Sequence, residues 1–401
     1  MIKKISVGDL IPGMFVHDLN CGWMDHPFLT NSFMVDGKAR IAKIRSLGVQ
    51  DLYIDTDRGL DLPYAQTEEE VAEDLQQRME NIAGTKSEKS YQAEVREEAP
   101  RARKLHNEAN GIVKRLMDDV RMGAQIEIER MAPLVEDMID SIFRNQSALL
   151  PLTALKRHDT YTFEHSVSVC ALMVAFARGL EMSRQTIRDI AMGALLHDVG
   201  KARIPDAILN KPSRLTEAEF IKMKDHVQQS ILILQQTPGL VPAAMQVAAQ
   251  HHERYDGSGY PKKLRGDGLS IYGKMASIVD VYDAISSDRV YHKGLQPSQA
   301  LKKLLEWSSH HFEPRLVHSF IRAIGIYPTG SLIRLESGRL AVVYEQNEGD
   351  LLHPVVTVIY NARKMQYLPP LRIDLAQTLD RVVGHEDFSR WKIDPKPWQP
   401  A

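Results

Sequence analysis

The stretch IRDIAMGALLHDVGK, residues 187–201, joins an apolar helical pattern to a polar end. Apolar residues recur at helical spacing, and His197 and Asp198 follow them directly. A buried carboxylate is costly unless a cation or hydrogen-bond donors compensate it. A charge pair at the helix end explains the aspartate alone, but it explains the whole His-Asp-Val-Gly-Lys string less well. The stretch therefore predicts a buried helix that ends at a polar site.

The residues around this stretch predict a mainly helical domain. From about 153 to 326, apolar runs such as SVSVCALMVAFARGL and YGKMASIVDVYDAISS alternate with short polar breaks. Several runs begin after Ser, Thr or Pro, which are favoured at helix starts. From Leu105 to Asn145 apolar residues also recur at helical spacing, which predicts long helices. That stripe fits a core better than a dimer interface, although pairing of two chains stays open.

The flanking segments differ from the helical region in composition and residue pattern. Residues 1–65 mix short β-like runs with one helical run, KARIAKIRSLG, and predict a small α+β module whose interaction or sensory role the sequence leaves open. Residues 66–104 are densely charged and predict a solvated helix or linker. Residues 105–326 form the helical region, with the motifs in 152–326. Residues 327–401 show β-branched alternation and predict a small antiparallel sheet with a tail.

The composition bounds the classes of function. A chain of 401 residues predicts two or three domains. The 50 Lys and Arg nearly balance the 52 Asp and Glu, for a net charge of -2, so DNA or RNA is not the expected partner. The two cysteines are too few for a disulfide framework and suit the cytoplasm. No apolar run reaches about 18 residues, so membrane insertion is not expected.

A second polar string, HHERYDGSGYP, occupies residues 251–261. Neighbours on a helix point about 100° apart, so His251 and His252 cannot easily bind one metal from one face. They can serve two metals, or one metal and a substrate. A histidine pair beside a polar turn is the simpler interpretation if the pair stands alone.

Further metal-binding residue types lie on similar apolar helices, at His165, His226 and Asp280. Taken singly, each is better explained as an ordinary core or surface residue. Together with the two strings they give five histidines and two aspartates, a donor set that suits Fe, Mn or Zn. The sequence therefore predicts a metal site.

The two strings resemble the HD-GYP family, a bacterial subgroup of the HD phosphohydrolases that hydrolyses cyclic di-GMP. His197-Asp198 corresponds to the "HD" and Gly259-Tyr260-Pro261 to the "GYP". The resemblance covers residues 152–326 and implies a helical HD-type phosphohydrolase domain; the N-terminal segment resembles a module often fused to it. It implies the metal ligands His165, His197, Asp198, His226, His251, His252 and Asp280.

The resemblance also implies a chemistry. Two divalent ions, Fe or Mn, would share Asp198 as a bridging ligand, and a hydroxide between them would attack the phosphodiester. Lys201, one turn beyond the doublet, is expected to contact the phosphate or to protonate the leaving 3′-oxygen. A solvated surface lysine is the alternative.

Substrate contacts are expected at three further places. Gly259, Tyr260 and Pro261 are expected to shape the substrate wall, with a purely structural turn as the competing interpretation. Arg289 matches a basic residue of the family and is suited to bind a phosphate. A second basic position falls on His292, and a neutral imidazole attracts phosphate less than Arg or Lys does.

The expected metal number is two. Family members that hold a third metal carry a Glu four residues before the first histidine, where this chain has Tyr161. Glu164 is expected to point elsewhere if the segment is helical.

The predicted function is hydrolysis of cyclic di-GMP to pGpG, with further cleavage to GMP left open. The alternatives are a non-catalytic receptor for cyclic di-GMP and an HD phosphohydrolase for another cyclic dinucleotide. The intact ligand set argues against the receptor. A homodimer, or a signalling protein bound by the N-terminal module, is left open as a partner.

Overall fold

The structure is a computed structural model that describes residues 1–22, 32–84, 92–153, 161–288 and 294–398, without the side chains of 161 and 162. The chain divides into two compact units. One consists of Met1–Arg78 with Asn210–Lys222, and the other of Met79–Leu209 with Met223–Ala401. Within the described ranges, no helix has both the length and the apolar character needed to cross a bilayer.

The described residues up to Thr67 form an antiparallel sheet with the helix α1, which confirms the predicted α+β module. Its described strands follow the order β3-β2-β4-β1-β5. Apolar residues of β1, β2 and β4 form a core with Ile41 and Ile44 of α1. The elements are β1 (Ile2–Ser6), β2 (Phe15–Asp18), β3 (Phe33–Met34), α1 (Lys38–Ser46), β4 (Asp51–Asp55) and β5 (Gln66–Thr67).

The rest of the described chain is mainly helical up to residue 324, as predicted. The helices are α2 (Glu68–Ala83), α3 (Val95–Arg121), α4 (Ile128–Thr153), α5 (Tyr161–Gly179), α6 (Arg184–Leu196), α7 (Asp206–Leu209), α8 (Glu217–Gln235), α9 (Pro242–Gln250), α10 (Ile271–Ser286), α11 (Pro297–Trp307) and α12 (Pro314–Ile324).

Four of these helices pack in a closed ring, α5 on α6, α6 on α9, α9 on α10 and α10 on α5. Local sequence determines where these helices begin. The hydroxyls of Ser183 and Ser270 accept hydrogen bonds from backbone N–H groups in the first turns of α6 and α10, and Pro242 is the first residue of α9. A Cβ at Gly193 would lie 2.6 Å from the carbonyl oxygen of Ala244, so glycine lets α6 and α9 approach closely. The ring brings the polar ends of several buried helices together.

The charged segment 66–104 is largely helical in its described residues, as one of the two expected alternatives has it, but it is not wholly solvated. It contains α2 and the first turns of α3, and Glu98 is 1% exposed. The Glu98 carboxylate accepts hydrogen bonds from Arg144 Nε at 2.6 Å and from Ser141 Oγ at 2.7 Å, both on α4. The buried residues Ala99 and Ala102 are too small to mark an apolar face in the sequence. A charged helix is therefore part of the packed domain.

The C-terminal segment is a five-stranded antiparallel sheet, which confirms the prediction. Its strands are β6 (Leu332–Leu335), β7 (Arg339–Glu345), β8 (Val355–Asn361), β9 (Gln366–Asp374) and β10 (Val382–Glu386). Their order is β10-β6-β7-β8-β9. Leu340, Val342 and Ile359 form its core with Trp391 packed against them.

Replacing Glu98 with Ala is expected to lower the free energy of unfolding by about 3 kcal/mol, because Arg144 and Ser141 lose a buried acceptor. Chemical denaturation followed by circular dichroism measures the change. Glu97→Ala, at an exposed neighbour, is the control. A Glu98→Ala protein as stable as that control would contradict the role of the pair.

Candidate metal centre

Seven buried side chains from five helices and the residues after them meet at one place. His165 comes from α5, His226 from α8 and Asp280 from α10. His197 and His251 are the residues at which α6 and α9 end, and Asp198 and His252 follow them. Their donor atoms form three groups, and within each group the atoms lie within 4.8 Å of one another. The groups are His226, His251 and His252; His165, His197 and Asp280; and His197, Asp198 and His251.

The Asp198 carboxylate lies between two groups of imidazoles. Its Oδ2 is 3.4 Å from His165 Nε2 and 3.3 Å from His197 Nε2. Its Oδ1 is 3.3 Å from His226 Nε2 and 3.9 Å from His251 Nε2. The two oxygens of one carboxylate therefore face different histidines.

Asp280 faces three histidines. Its Oδ1 lies 3.0 Å from His165 Nε2 and 3.8 Å from His197 Nε2, and its Oδ2 lies 3.6 Å from His252 Nδ1. Two carboxylates and five imidazoles thus converge in a space shielded from solvent.

Three of the histidines make the same hydrogen bond to the backbone of their own helix. The Nδ1–H of His197, His226 and His251 each donates to the backbone carbonyl three residues earlier, at 2.7, 2.6 and 2.8 Å respectively. A carbonyl only accepts, so in each ring Nδ1 carries a proton, and in the neutral form of the ring Nε2 keeps its lone pair. All three Nε2 atoms are the ones that face Asp198.

Some donor atoms of the cluster lack a hydrogen-bond partner within the described part of the chain. These buried atoms are Asp198 Oδ1, His226 Nε2 and His251 Nε2. A buried polar atom without a partner is costly, and a metal ion compensates it as a hydrogen bond does. The residues present therefore fit a divalent cation.

The charge states of His226, His251 and Asp198 suit metal binding as well, whereas burial lowers the pKa of His197 but the neighbouring Asp198 carboxylate raises it overall. Burial lowers the pKa of His226 to about 4, and burial together with neighbouring His197 lowers that of His251 to about 3. Burial would raise the pKa of Asp198, but Lys201 and His197 hold it well below its usual range. At neutral pH the imidazoles of His226 and His251 are neutral and the carboxylate is charged, which are the forms that bind metals.

Lys201 lies beside the cluster. Its ammonium forms an ion pair with Asp198 Oδ2, and its side chain is 13% exposed. This position does not fit a solvated surface lysine.

The Gly-Tyr-Pro turn packs on a histidine of the cluster. The Tyr260 ring stacks on the His252 ring, with centroids 4.7 Å apart and planes 25° apart, and Tyr260 N–H donates to His252 O at 3.1 Å. A Cβ at Gly259 would lie 2.4 Å from Arg254 N, so the turn needs glycine there. The Lys224 ammonium lies 4.8 Å from the centroid of the Tyr260 ring.

Two buried carboxylates of the centre are absent from the predicted residues. Glu253 accepts the backbone N–H of Lys262 at 2.7 Å and of Leu264 at 2.9 Å, and so holds the turn after Pro261. Asp283 lies 2.6 Å from His165 Nδ1. Glu253 follows the histidine pair directly and Asp283 is one turn beyond Asp280, and these placements were the available signals.

Other predicted residues fall outside this geometry. Arg289 and His292 lie outside the described residues, as does the Tyr161 side chain. Glu164 is buried. Burial lowers the pKa of His106 on α3, and the charge of Glu164 opposes that shift. None of the three groups of donor atoms given above, which were identified among the described residues, contains Glu164.

Comparison with known sequences relates the chain to two domain families and to named relatives. The HD domain family matches residues 138–316, and a domain family of unknown function, DUF3391, matches residues 2–131. A Pseudomonas aeruginosa protein named cyclic di-GMP phosphodiesterase is 39% identical over 98% of this chain and 94% of its own length. The chain belongs to the HD-GYP family. Its fold is a helical HD-type domain with an α+β module before it and a β-rich segment after it.

One further sequence match is shorter, and one match to a solved structure has low sequence identity. A Vibrio cholerae protein named 3′3′-cGAMP-specific phosphodiesterase 2 is 43% identical over 30% of this chain and 24% of its own length. A solved structure described as an HDG"Y"P protein from Bdellovibrio bacteriovorus is 18% identical, covers 80% of this chain and 98% of that chain, and has a TM-score of 0.47.

The turn after the HD doublet requires glycine at position 200. A Cβ there would lie 2.0 Å from His226 O and 2.3 Å from Ser230 N, and Gly200 N–H donates to Ser230 Oγ at 2.8 Å. This close contact holds residues 199–203 against α8 and brings Asp198 beside His226.

Gly200→Ala is expected to lower the free energy of unfolding by about 3 kcal/mol and to reduce bound metal, because the methyl group must push the turn away from α8. Denaturation and elemental analysis measure the two effects. Gly268→Ala is the control, since a Cβ there meets nothing within 4 Å. Wild-type stability and metal content in Gly200→Ala would show that the close packing is not required.

Proposed function

We propose that this HD-GYP chain is a metal-dependent phosphodiesterase that hydrolyses cyclic di-GMP. The observation that carries the proposal is the buried cluster in which the two oxygens of Asp198 face different sets of imidazoles. The near-full-length Pseudomonas aeruginosa relative, named for this activity, supports the choice of substrate.

The ligands divide into two sets that share Asp198. His165, His197, Asp198 and Asp280 would hold one divalent ion, and Asp198, His226, His251 and His252 would hold the other. Two such ions, when bound, supply a hydroxide nucleophile at neutral pH and relieve negative charge on the phosphoryl oxygens. Fe or Mn suits these donors. Two ions rather than three are proposed because Tyr161 replaces the glutamate expected for a third.

The chain's own groups bind and orient the substrate. The Lys201 ammonium, held beside Asp198 Oδ2, is within reach of a phosphate at the cluster and is the proposed proton donor to the leaving 3′-oxygen. Tyr260 and the adjoining Gly259 and Pro261 lie next to His252 and form the proposed wall of the site. Arg289 and His292 remain proposed phosphate contacts on the strength of the family resemblance.

The products are proposed to be pGpG and, with further turnover, GMP. Hydrolysis of 3′3′-cGAMP is the second candidate, supported by the similarity to the Vibrio cholerae relative. A receptor without turnover is disfavoured because it has no use for a complete set of buried ligands. The cytoplasmic location, the domain limits and the partner bound by the N-terminal module stay predictions.

The metal-loaded protein is expected to convert cyclic di-GMP to pGpG or GMP, and His197→Ala/Asp198→Ala to lose at least about 10³-fold in rate, since removal of the shared carboxylate disrupts both ligand sets. Chromatography of the products with added Mn²⁺ or Fe²⁺ measures this. Asp225→Asn, an exposed carboxylate next to His226, is the control.

Parallel assays with 3′3′-cGAMP decide between substrates. Preferential turnover of 3′3′-cGAMP would move the assignment to that dinucleotide. Absence of turnover for both at full metal occupancy would reject the hydrolase, and saturable binding in that case would favour the receptor.

A further inference from the structure

The His165 ring lies between two carboxylates of the same helix. Its Nε2 is 3.0 Å from Asp280 Oδ1, and its Nδ1 is 2.6 Å from Asp283 Oδ2. Asp280 and Asp283 are one turn apart on α10, so both carboxylates point to the same face. One carboxylate belongs to the cluster of donor atoms and the other lies behind the ring.

This arrangement differs from that of the other histidines. His197, His226 and His251 each donate Nδ1–H to a neutral carbonyl of their own chain segment. His165 donates instead to a side chain more than 100 residues away, since 118 positions separate it from Asp283. Its orientation therefore depends on the packing of α5 against α10.

Asp283 is itself held in place. Its side chain is 3% exposed, and its Oδ1 accepts a hydrogen bond from Ser168 Oγ. Ser168 lies three residues after His165 on α5, on the same face. The two oxygens of Asp283 thus accept from two side chains of one turn of α5, which leaves the carboxylate little freedom to rotate.

We propose that Asp283 is a positioning residue that fixes the Nδ1–H tautomer of His165, aims its Nε2 at the cluster and thereby strengthens divalent-metal binding at the set formed by His165, His197, Asp198 and Asp280. The inference rests on the proposed metal centre. A carboxylate behind a ligand imidazole raises the basicity of the ligating nitrogen, and loss of such a partner costs about 10- to 100-fold in metal affinity.

The test is calorimetric addition of Mn²⁺ to the metal-free full-length protein. Asp283→Ala is expected to weaken the binding of one Mn²⁺ about 10- to 100-fold. Asp283→Asn, whose amide oxygen still accepts from Nδ1–H, is expected to weaken it less. Asp225→Asn, on the exposed side of α8, is expected to bind as the wild type does.

A double-mutant cycle separates positioning from general structural damage. In a His165→Ala background, Asp283→Ala is expected to cause no further loss of Mn²⁺ affinity, because the ring that it orients is gone. An equal loss in both backgrounds would reject the proposal, and so would wild-type affinity in Asp283→Ala.

Circular dichroism monitors folding of each variant. If Asp283→Ala does not fold, Asp283→Asn and Ser168→Ala decide, and wild-type Mn²⁺ affinity in both would overturn the proposal. Metal binding is measured without substrate, so a failure of the wild type to hydrolyse cyclic di-GMP would reject the proposed activity and leave this inference standing.

Discussion

The structure depends on one buried carboxylate, that of Asp198. A buried anion is stable only with compensating partners: Lys201 is one of them, and the four imidazole nitrogens that face Asp198 would hold the cations that supply the rest. These partners come from α5, α6, α8, α9 and the turn after α6, so the need to compensate one charge fixes the relative positions of several helices. Gly193 and Gly200 make this possible, because each removes a side chain where two backbones meet.

Part of this site could be predicted from sequence because four of its seven ligands lie at helix ends. His197 and His251 each terminate an apolar run, so a polar residue appears where the helical pattern stops. His165, His226 and Asp280 lie inside helices, and the family resemblance was needed to select them. Asp283 could not be found in this way, since an aspartate three residues after another is ordinary on a helix. Its partner His165 is distant in sequence, and only the packed helices bring the two together.

The fold was predictable where side chains carry a strong pattern. The alternation of β-branched residues after residue 328 predicted the C-terminal sheet, and the short β-like runs between turns predicted the N-terminal sheet. The start of α3 carried only a weak signal, because a glutamate and two alanines are among the buried residues of its first turns, Val95, Glu98, Ala99 and Ala102. Glu98 resembles a solvated residue in sequence, and only its pairing with Arg144 explains its burial. Charge density therefore indicated a solvated helix or linker where one face of the helix is packed.

The carbonyl that accepts from each of His197, His226 and His251 belongs to the turn immediately before the histidine. The direction of each ligating nitrogen is thus encoded within four consecutive residues and does not require distant support. Such a unit can be moved as a cassette: a helix that carries it presents an oriented imidazole wherever the turn before the histidine is placed. The centre offers three such cassettes, which makes it a practical source of parts for building metal sites into unrelated helical bundles.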